Sequence, residues 1–235
     1  MCGELSGIKS KAMNKMNVKA ILFDVGGTLY VSKEFDKQFS LQIEKLLAER
    51  LKIPLEEARS CLKVKKEELL KKENDPSKVR AMAAFGISRS EVHEAFCKVN
   101  PGLYLNPSRA VNDMLKNLHG KGYKLAILSN FRKILVEQIM DCLDIDLNVF
   151  DFLITEDDGL PIKPAQDPFI ESLKRFSLEA KNVAYVGDDL SKDMVPAKAV
   201  EMRTIWVNPK PAEGPLPDAV DIIIKDVLKL NDIFC

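Results

Sequence analysis

The amino-acid sequence predicts an α/β protein, a doubly wound parallel sheet with an all-helical domain inserted after its first strand. Short apolar runs that end in glycine or polar residues are typical of buried parallel strands, and the first such run ends at Asp24, before Gly26 and Gly27. From residue 107 onward, similar runs alternate with apolar residues at helical spacing, which indicates right-handed strand–helix–strand units. Between residues 33 and 97 the apolar spacing is helical throughout.

Composition is that of an ordinary globular protein and argues against two classes of partner. Hydrophobic residues make up 46% of the 235 residues, which is enough for a sizeable core. Lys and Arg together number 35, as do Asp and Glu, so the net charge provides no attraction to nucleic acid or to a membrane surface. The apolar runs are too short to span a bilayer. We expect a small-molecule substrate and neither of those partners; the sequence carries no signal for the oligomeric state.

The N-terminus and the cysteines indicate an intracellular protein. Residues 1–17 are polar, contain lysines and lack an apolar centre, so we expect a flexible tail and no secretory signal; Met13 and Met16 are alternative start residues. The five cysteines form no C-x-x-C pair and the chain has two histidines, which argues against a zinc site or a disulfide framework. A cytoplasmic, reducing location is therefore expected.

The helical insert is predicted from apolar spacing and helix-capping residues. Pro54 begins its second helix, and Gly86 ends its third. Ser88, followed three residues later by Glu91, is the capping box of a fourth helix. The predicted domains are a tail at residues 1–17, an α/β core at 18–32 and 103–235, and a helical domain at 33–102.

The second half of the chain supplies the remaining strands of the sheet. The predicted strands are 124–128, 152–154, 182–186, 203–207 and 220–224. The helices between them are predicted around 111–118, 134–143, 169–176 and 194–199.

Four polar motifs occur in order along the predicted core. They are Asp24-Val25-Gly26-Gly27-Thr28, Ser129-Asn130, Lys163-Pro164, and Gly187-Asp188-Asp189-Leu190-Ser191-Lys192-Asp193. Because the carboxyl ends of parallel strands share one edge of a sheet, motifs that follow strands are expected to converge there. Each motif alone also fits a structural role: an Asp in a turn, a helix cap or a surface lysine.

The ordered set of four motifs resembles the haloacid dehalogenase superfamily of hydrolases, over nearly the whole chain from residue 18. The resemblance implies a Rossmann-like core and makes the helical insert that family's cap domain. It also implies Mg²⁺ as the cofactor and transfer of a phosphoryl group to Asp24. A carboxylate nucleophile, hard oxygen ligands and a charge-balancing lysine suit that chemistry.

The resemblance assigns roles residue by residue. Asp24, Ser129 and Lys163 are the expected catalytic residues. The phosphoryl group is expected to contact Thr28, Ser129, Asn130 and Lys163. The expected metal ligands are Asp24, the Gly26 carbonyl and Asp188. Asp189 and Asp193 are expected to support these ligands without binding the metal themselves.

One position departs from the family's phosphatases, which carry a second Asp two residues after the nucleophile. That Asp protonates the leaving group, and here the position is Gly26. General acid catalysis is worth about 10²–10⁴-fold, so poor leaving groups should suffer most from its loss. Three interpretations stay open: a phosphatase that is slow or uses another acid, a dehalogenase-like or phosphonatase-like hydrolase, and a binding protein without turnover. The acidic segment after Gly187 suits a metal and favours the phosphatase.

Overall fold

The computed structural model describes residues 8–10, 17–73, 78–210 and 215–234. The strands of these residues are β1 Ile8–Ser10, β2 Ala20–Phe23, β3 Lys124–Leu128, β4 Phe152–Ile154, β5 Val183–Gly187, β6 Arg203–Val207 and β7 Ile222–Ile224. They form one sheet in the order β1-β7-β6-β5-β2-β3-β4, in which only the β1–β7 pair is antiparallel.

Strand β2 lies at the point where the strand order reverses. From β2 the chain adds β3 and β4 on one side, then returns to add β5, β6 and β7 on the other. All four residues of β2 are buried, as expected for a strand with both sheet faces covered. The predicted doubly wound parallel sheet is thus confirmed. Strands β5 and β7 begin one and two residues later than predicted.

The N-terminal segment contains a strand where a flexible tail was expected. Ile8 pairs with Ile224, and Ser10 with Ile222, so β1 covers the outer edge of β7. An unpaired apolar edge strand exposes N–H and C=O groups, which gives this antiparallel pairing its physical reason. Expectations for residues 1–7 and 11–16 lie outside the described residues.

The helices alternate with the strands in the core and cluster in the insert. Their bounds are α1 Lys33–Leu51, α2 Leu55–Glu73, α3 Lys78–Ala83, α4 Arg89–Phe96, α5 Arg109–Gly120, α6 Lys133–Cys142, α7 Asp167–Phe176, α8 Val195–Ala199 and α9 Leu230–Ile233. Contacts divide the chain into two compact units, Met1–Val31 with Asn106–Cys235, and Ser32–Leu105. A membrane-crossing helix, one both long and apolar enough, is not found among the described residues.

The helical unit owes its helices to a buried apolar stripe and to side-chain caps. Helix α1 buries Phe35, Phe39, Ile43 and Leu47, which recur every four residues along one face. The Ser88 hydroxyl and the Glu91 carboxylate form the predicted capping box at the start of α4.

A π-helical turn stands where the sequence predicted the start of a regular helix. It covers Leu190–Met194 and leads directly into α8. The Asp189 carboxylate caps the turn by accepting the N–H groups of Ser191 and Lys192, each at 2.9 Å. The turn carries Asp193, whose side chain is buried.

The cysteines that the structure describes are Cys61, Cys97 and Cys142, and all three are half-buried and outside any disulfide. Cys2 and Cys235 lie outside the described residues.

Candidate active site

The site forms where β2 ends, at the reversal of strand order. Asp24 follows β2 directly, its side chain is nearly buried, and its backbone N–H donates to the Val186 carbonyl at 2.9 Å. Ligands of doubly wound sheets bind at this position, outside the carboxyl ends of the strands. A cavity of about 270 Å³ opens there. Its lining residues are Asp24, Gly26, Ser129, Asn130, Phe131, Lys163, Asp188, Asp189, Lys192 and Asp193.

Lys163 lies at the centre of the polar network. Its ammonium donates to Asp24 Oδ1 at 2.6 Å, to Tyr185 Oη at 2.8 Å and to Asp193 Oδ1 at 2.8 Å. Only 4% of the Lys163 side chain is exposed. The structure therefore brings together three residues that the sequence placed in three separate motifs, and it adds Tyr185.

Three carboxylates cluster near this one buried ammonium, and two of them contact it. Oxygen atoms of Asp24, Asp188 and Asp193 lie within 4.8 Å of one another. Burial and the charge of Asp193 raise the pKa of Asp24 to about 6, although Lys163 opposes the rise. Partial burial and the charges of Asp24 and Asp193 raise the pKa of Asp188 to about 7. Negative charge is thus in excess within the cluster.

The pKa of Lys163 moves in the opposite direction from what burial alone would cause. Burial alone would lower the pKa, but the nearby charges of Asp193 and Asp24 hold it above its ordinary value. The lysine is therefore a fixed positive charge at neutral pH.

Two glycines allow the loops to approach the carboxylates closely. Gly27 has a positive φ of 76°, and a Cβ there would collide with the Asp188 carboxylate. A Cβ on Gly187 would lie 2.7 Å from the Asp193 side chain. A larger residue at either position would displace the carboxylate next to it.

Ser129 and Asn130, both predicted to bind phosphate, make different contacts. The Ser129 hydroxyl accepts the Phe131 N–H at 3.2 Å, which leaves its own proton for a ligand oxygen. The Asn130 amide instead bonds the backbone of Lys163, accepting its N–H and donating to its carbonyl, each at 2.9 Å. Asn130 therefore joins the second motif to the third, a structural role that the sequence did not predict.

Thr28 lies outside the cavity lining, whereas Asp189 lines the cavity and caps the turn that follows it. The Thr28 hydroxyl is buried, without a hydrogen-bond partner among the described residues, and Thr28 is not among the residues that line the cavity. The Asp189 carboxylate caps the π-helical turn; although burial opposes ionisation, hydrogen bonds from Lys192 and Ser191 lower its pKa to about 2. Phosphate binding by Thr28 stays a prediction.

Tyr185 and Phe131 are part of the site and were missed by the sequence reasoning, and Trp206 contacts the site from the neighbouring strand. Tyr185 lies within an apolar strand, and Phe131 follows the second motif, so each resembles a core residue in sequence. The Trp206 indole N–H donates to the Asp188 carbonyl at 2.7 Å. The signal that could have found Trp206 was strand pairing, because it lies opposite Gly187 on the strand next to β5.

Comparison with known proteins agrees with this geometry. Residues 21–207 match the family model described as haloacid dehalogenase-like hydrolase. Phosphoglycolate phosphatase of Aquifex aeolicus is 28% identical, over 92% of this chain and 97% of the relative. Glyceraldehyde 3-phosphate phosphatase of Methanocaldococcus jannaschii is 28% identical, over 81% of this chain and 85% of the relative.

A solved structure shares the fold over almost the same span. It is an HAD phosphatase from Thermococcus onnurineus, with a TM-score of 0.66 and 26% identity over 92% of this chain and 97% of that one. With the family model covering most of the chain and the motifs converging at one sheet edge, this protein belongs to the haloacid dehalogenase-like hydrolases.

Proposed function

We propose that this hydrolase is a Mg²⁺-dependent phosphatase that acts on a small phosphorylated molecule through a phosphorylated Asp24. One observation carries the proposal: the Asp24 carboxylate lies 2.6 Å from the buried Lys163 ammonium, in one cluster with Asp188 and Asp193. Two relatives, a phosphoglycolate phosphatase and a glyceraldehyde 3-phosphate phosphatase, support a phosphate ester as substrate.

The donor set suits Mg²⁺. Carboxylate and carbonyl oxygens are the ligands this hard cation prefers, and its charge would offset the excess negative charge of the cluster. Asp24, Asp188 and the Gly26 carbonyl would hold it. Asp193 fits a supporting role, because Oδ1 accepts from Lys163 and Tyr185 and Oδ2 accepts the Asp189 N–H at 3.0 Å. When bound, the ion supplies charge neutralisation for the phosphoryl oxygens.

The chain's own residues perform the covalent steps. An Asp24 oxygen attacks phosphorus, the bond from phosphorus to the ester oxygen breaks, and the alkoxide or phenolate leaves and takes up a proton from water. Water then attacks phosphorus, the bond to Asp24 breaks, and phosphate and the free carboxylate form. Lys163 keeps Asp24 oriented and charged before it attacks, and the Ser129 hydroxyl would donate to a phosphoryl oxygen.

Gly26 determines which substrates should react fastest. It has no side chain to protonate the departing oxygen, although it lines the cavity. A nitrophenolate leaves without help, whereas an alkoxide needs a proton. We therefore expect the ratio of nitrophenyl to alkyl phosphate turnover to be unusually large.

The test is hydrolysis of p-nitrophenyl phosphate with Mg²⁺, with EDTA, and with Asp24→Asn. We expect metal-dependent release of nitrophenol that falls by about 10³-fold or more in the variant, since the nucleophile is lost. Asp167→Asn, at the exposed start of α7, is the matched control and should leave the rate unchanged.

Two outcomes would replace the proposal. Release of halide from a 2-haloacid that persists in EDTA would favour the dehalogenase-like interpretation. Binding of phosphoglycolate or glyceraldehyde 3-phosphate under excess Mg²⁺, without any turnover, would favour a binding protein.

A further inference from the structure

The Lys163 ammonium has no N–H left for a substrate. A lysine ammonium carries three N–H donors, and three protein oxygens lie within 2.8 Å of this one. Two of these oxygens belong to carboxylates and the third is the Tyr185 hydroxyl. In this arrangement Lys163 acts on the reaction through Asp24, and a direct contact with a transferred group would require the ammonium to release one of these oxygens.

The Tyr185 hydroxyl completes the network from both sides. It accepts from Lys163 and donates its own proton to Asp193 Oδ1 at 2.8 Å. Tyr185 is fully buried in the middle of β5, opposite Leu22 of β2, and the Phe169 ring packs edge-on against it with centroids 5.0 Å apart. The hydroxyl thus accepts one hydrogen bond and donates one, both within the site.

Packing alone does not require a hydroxyl at this position. The other β5 side chains, such as Val183 and Val186, are apolar and fully buried, so a phenylalanine ring would fill the same space. A buried hydroxyl is costly unless it is hydrogen-bonded, and this one bonds only charged groups of the site among the contacts described.

We infer that Tyr185 is a positioning residue, whose hydroxyl fixes the Lys163 ammonium against Asp24. The catalytic part of this inference rests on the proposed phosphatase activity. Without the hydroxyl, one buried N–H of Lys163 loses its acceptor and Asp193 loses a donor. The ammonium then has freedom to move away from Asp24, while the groups that contact the substrate stay in place.

The experiment compares wild type, Tyr185→Phe and the control Tyr123→Phe, whose ring packs on Phe234 away from the site. With saturating Mg²⁺, we expect Tyr185→Phe to lower kcat by about 10-fold, the worth of a hydrogen bond to a charged group. KM should stay the same, because no substrate contact is lost. The fall should be equal for p-nitrophenyl phosphate and an alkyl phosphate, since no proton reaches the leaving group from Tyr185.

The inference is overturned if Tyr185→Phe matches wild type in kcat, or if KM rises while kcat holds. A fall confined to the alkyl phosphate would also overturn it, because that pattern indicates proton donation. Wild type without any metal-dependent release would instead count against the proposed function alone.

A second readout does not depend on turnover. An ammonium held by three buried acceptors exchanges its protons slowly, so Lys163 should give a protected side-chain ¹H–¹⁵N NMR signal, assigned by its loss in Lys163→Met. We expect this signal to exchange faster in Tyr185→Phe than in wild type, and at the wild-type rate in Tyr123→Phe. A wild-type protein without that signal, or equal protection in Tyr185→Phe, contradicts the inference.

Discussion

Two ion pairs of almost the same length lie in the two compact units of this chain. Lys163 and Asp24 are 2.6 Å apart in the α/β unit, and Lys65 and Glu68 are 2.5 Å apart on α2 of the helical unit. The side chains of the first pair are 4% and 12% exposed, and those of the second are 30% and 47% exposed. Distance therefore does not distinguish the pairs, whereas their access to water does.

This difference determines what each pair contributes. Water and ions screen the α2 pair, so it contributes little to stability. Breaking it leaves no buried, unpaired charge. The buried pair has lost its hydration, and its charges depend on one another and on Tyr185 and Asp193. A buried site can keep both a lysine and a nucleophilic carboxylate charged only because each charge stabilises the other.

Removing the lysine from each pair should give the largest difference between the two, measured as the loss in free energy of unfolding. Without metal, Lys163→Met leaves buried carboxylates uncompensated and should lower the free energy of unfolding by about 3–5 kcal/mol. Lys65→Met should lower it by about 0–1 kcal/mol. Urea denaturation of both variants provides the measurement, and losses of equal size would contradict the role assigned to burial.

Adding a carboxylate at position 26 tests the missing acid. A Cβ there would lie 3.3 Å from the Tyr30 hydroxyl and 3.8 Å from the Phe131 ring, so the fit is tight but needs only a small shift. Gly26→Asp should raise kcat/KM for an alkyl phosphate by about 10-fold and change that for p-nitrophenyl phosphate little.

The control for that change is Gly120→Asp, because a Cβ at the exposed end of α5 meets nothing within 4 Å. It should alter neither substrate. An equal response of both substrates to a folded Gly26→Asp variant, or no response, would show that the missing acid does not limit the rate.

The smallest expected effect is a change in tryptophan fluorescence. Trp206 is the only tryptophan of the chain, and its indole N–H bonds the Asp188 carbonyl. Mg²⁺ binding to the Asp188 carboxylate should therefore change tryptophan emission in a saturable way, and Asp188→Asn should remove that change. Persistence of the same titration curve in Asp188→Asn would place the metal elsewhere.

The core of the fold could be predicted because parallel strands buried on both faces are short apolar runs in sequence. Strand β2 is such a run, and its four residues are buried. Strand β1 could not be predicted, because its partner β7 is more than 200 residues away and Ile8 is its only apolar residue. The π-helical turn was also missed, since apolar spacing does not separate one irregular turn from a regular helix.

The residues alone predicted the site where a polar residue follows a strand, and the family resemblance added Lys163 and Asp193. Asp24 and Asp188 stand out for that reason, and the structure brings their carboxylates together. Tyr185 is one letter in an apolar run, so the role of its hydroxyl depends on a contact with Lys163, 22 residues earlier, that no local pattern reveals. Asn130 was recognised, but its bond to the Lys163 backbone was not.

The most direct test of the central proposal is to identify the covalent intermediate. Borohydride added during turnover of p-nitrophenyl phosphate reduces an acyl phosphate to an alcohol, which would convert Asp24 to homoserine. Peptide mass spectrometry should find homoserine at position 24, dependent on both substrate and Mg²⁺, and nowhere else. Continued turnover with an unmodified Asp24, or reduction at another carboxylate, would contradict Asp24 as the nucleophile.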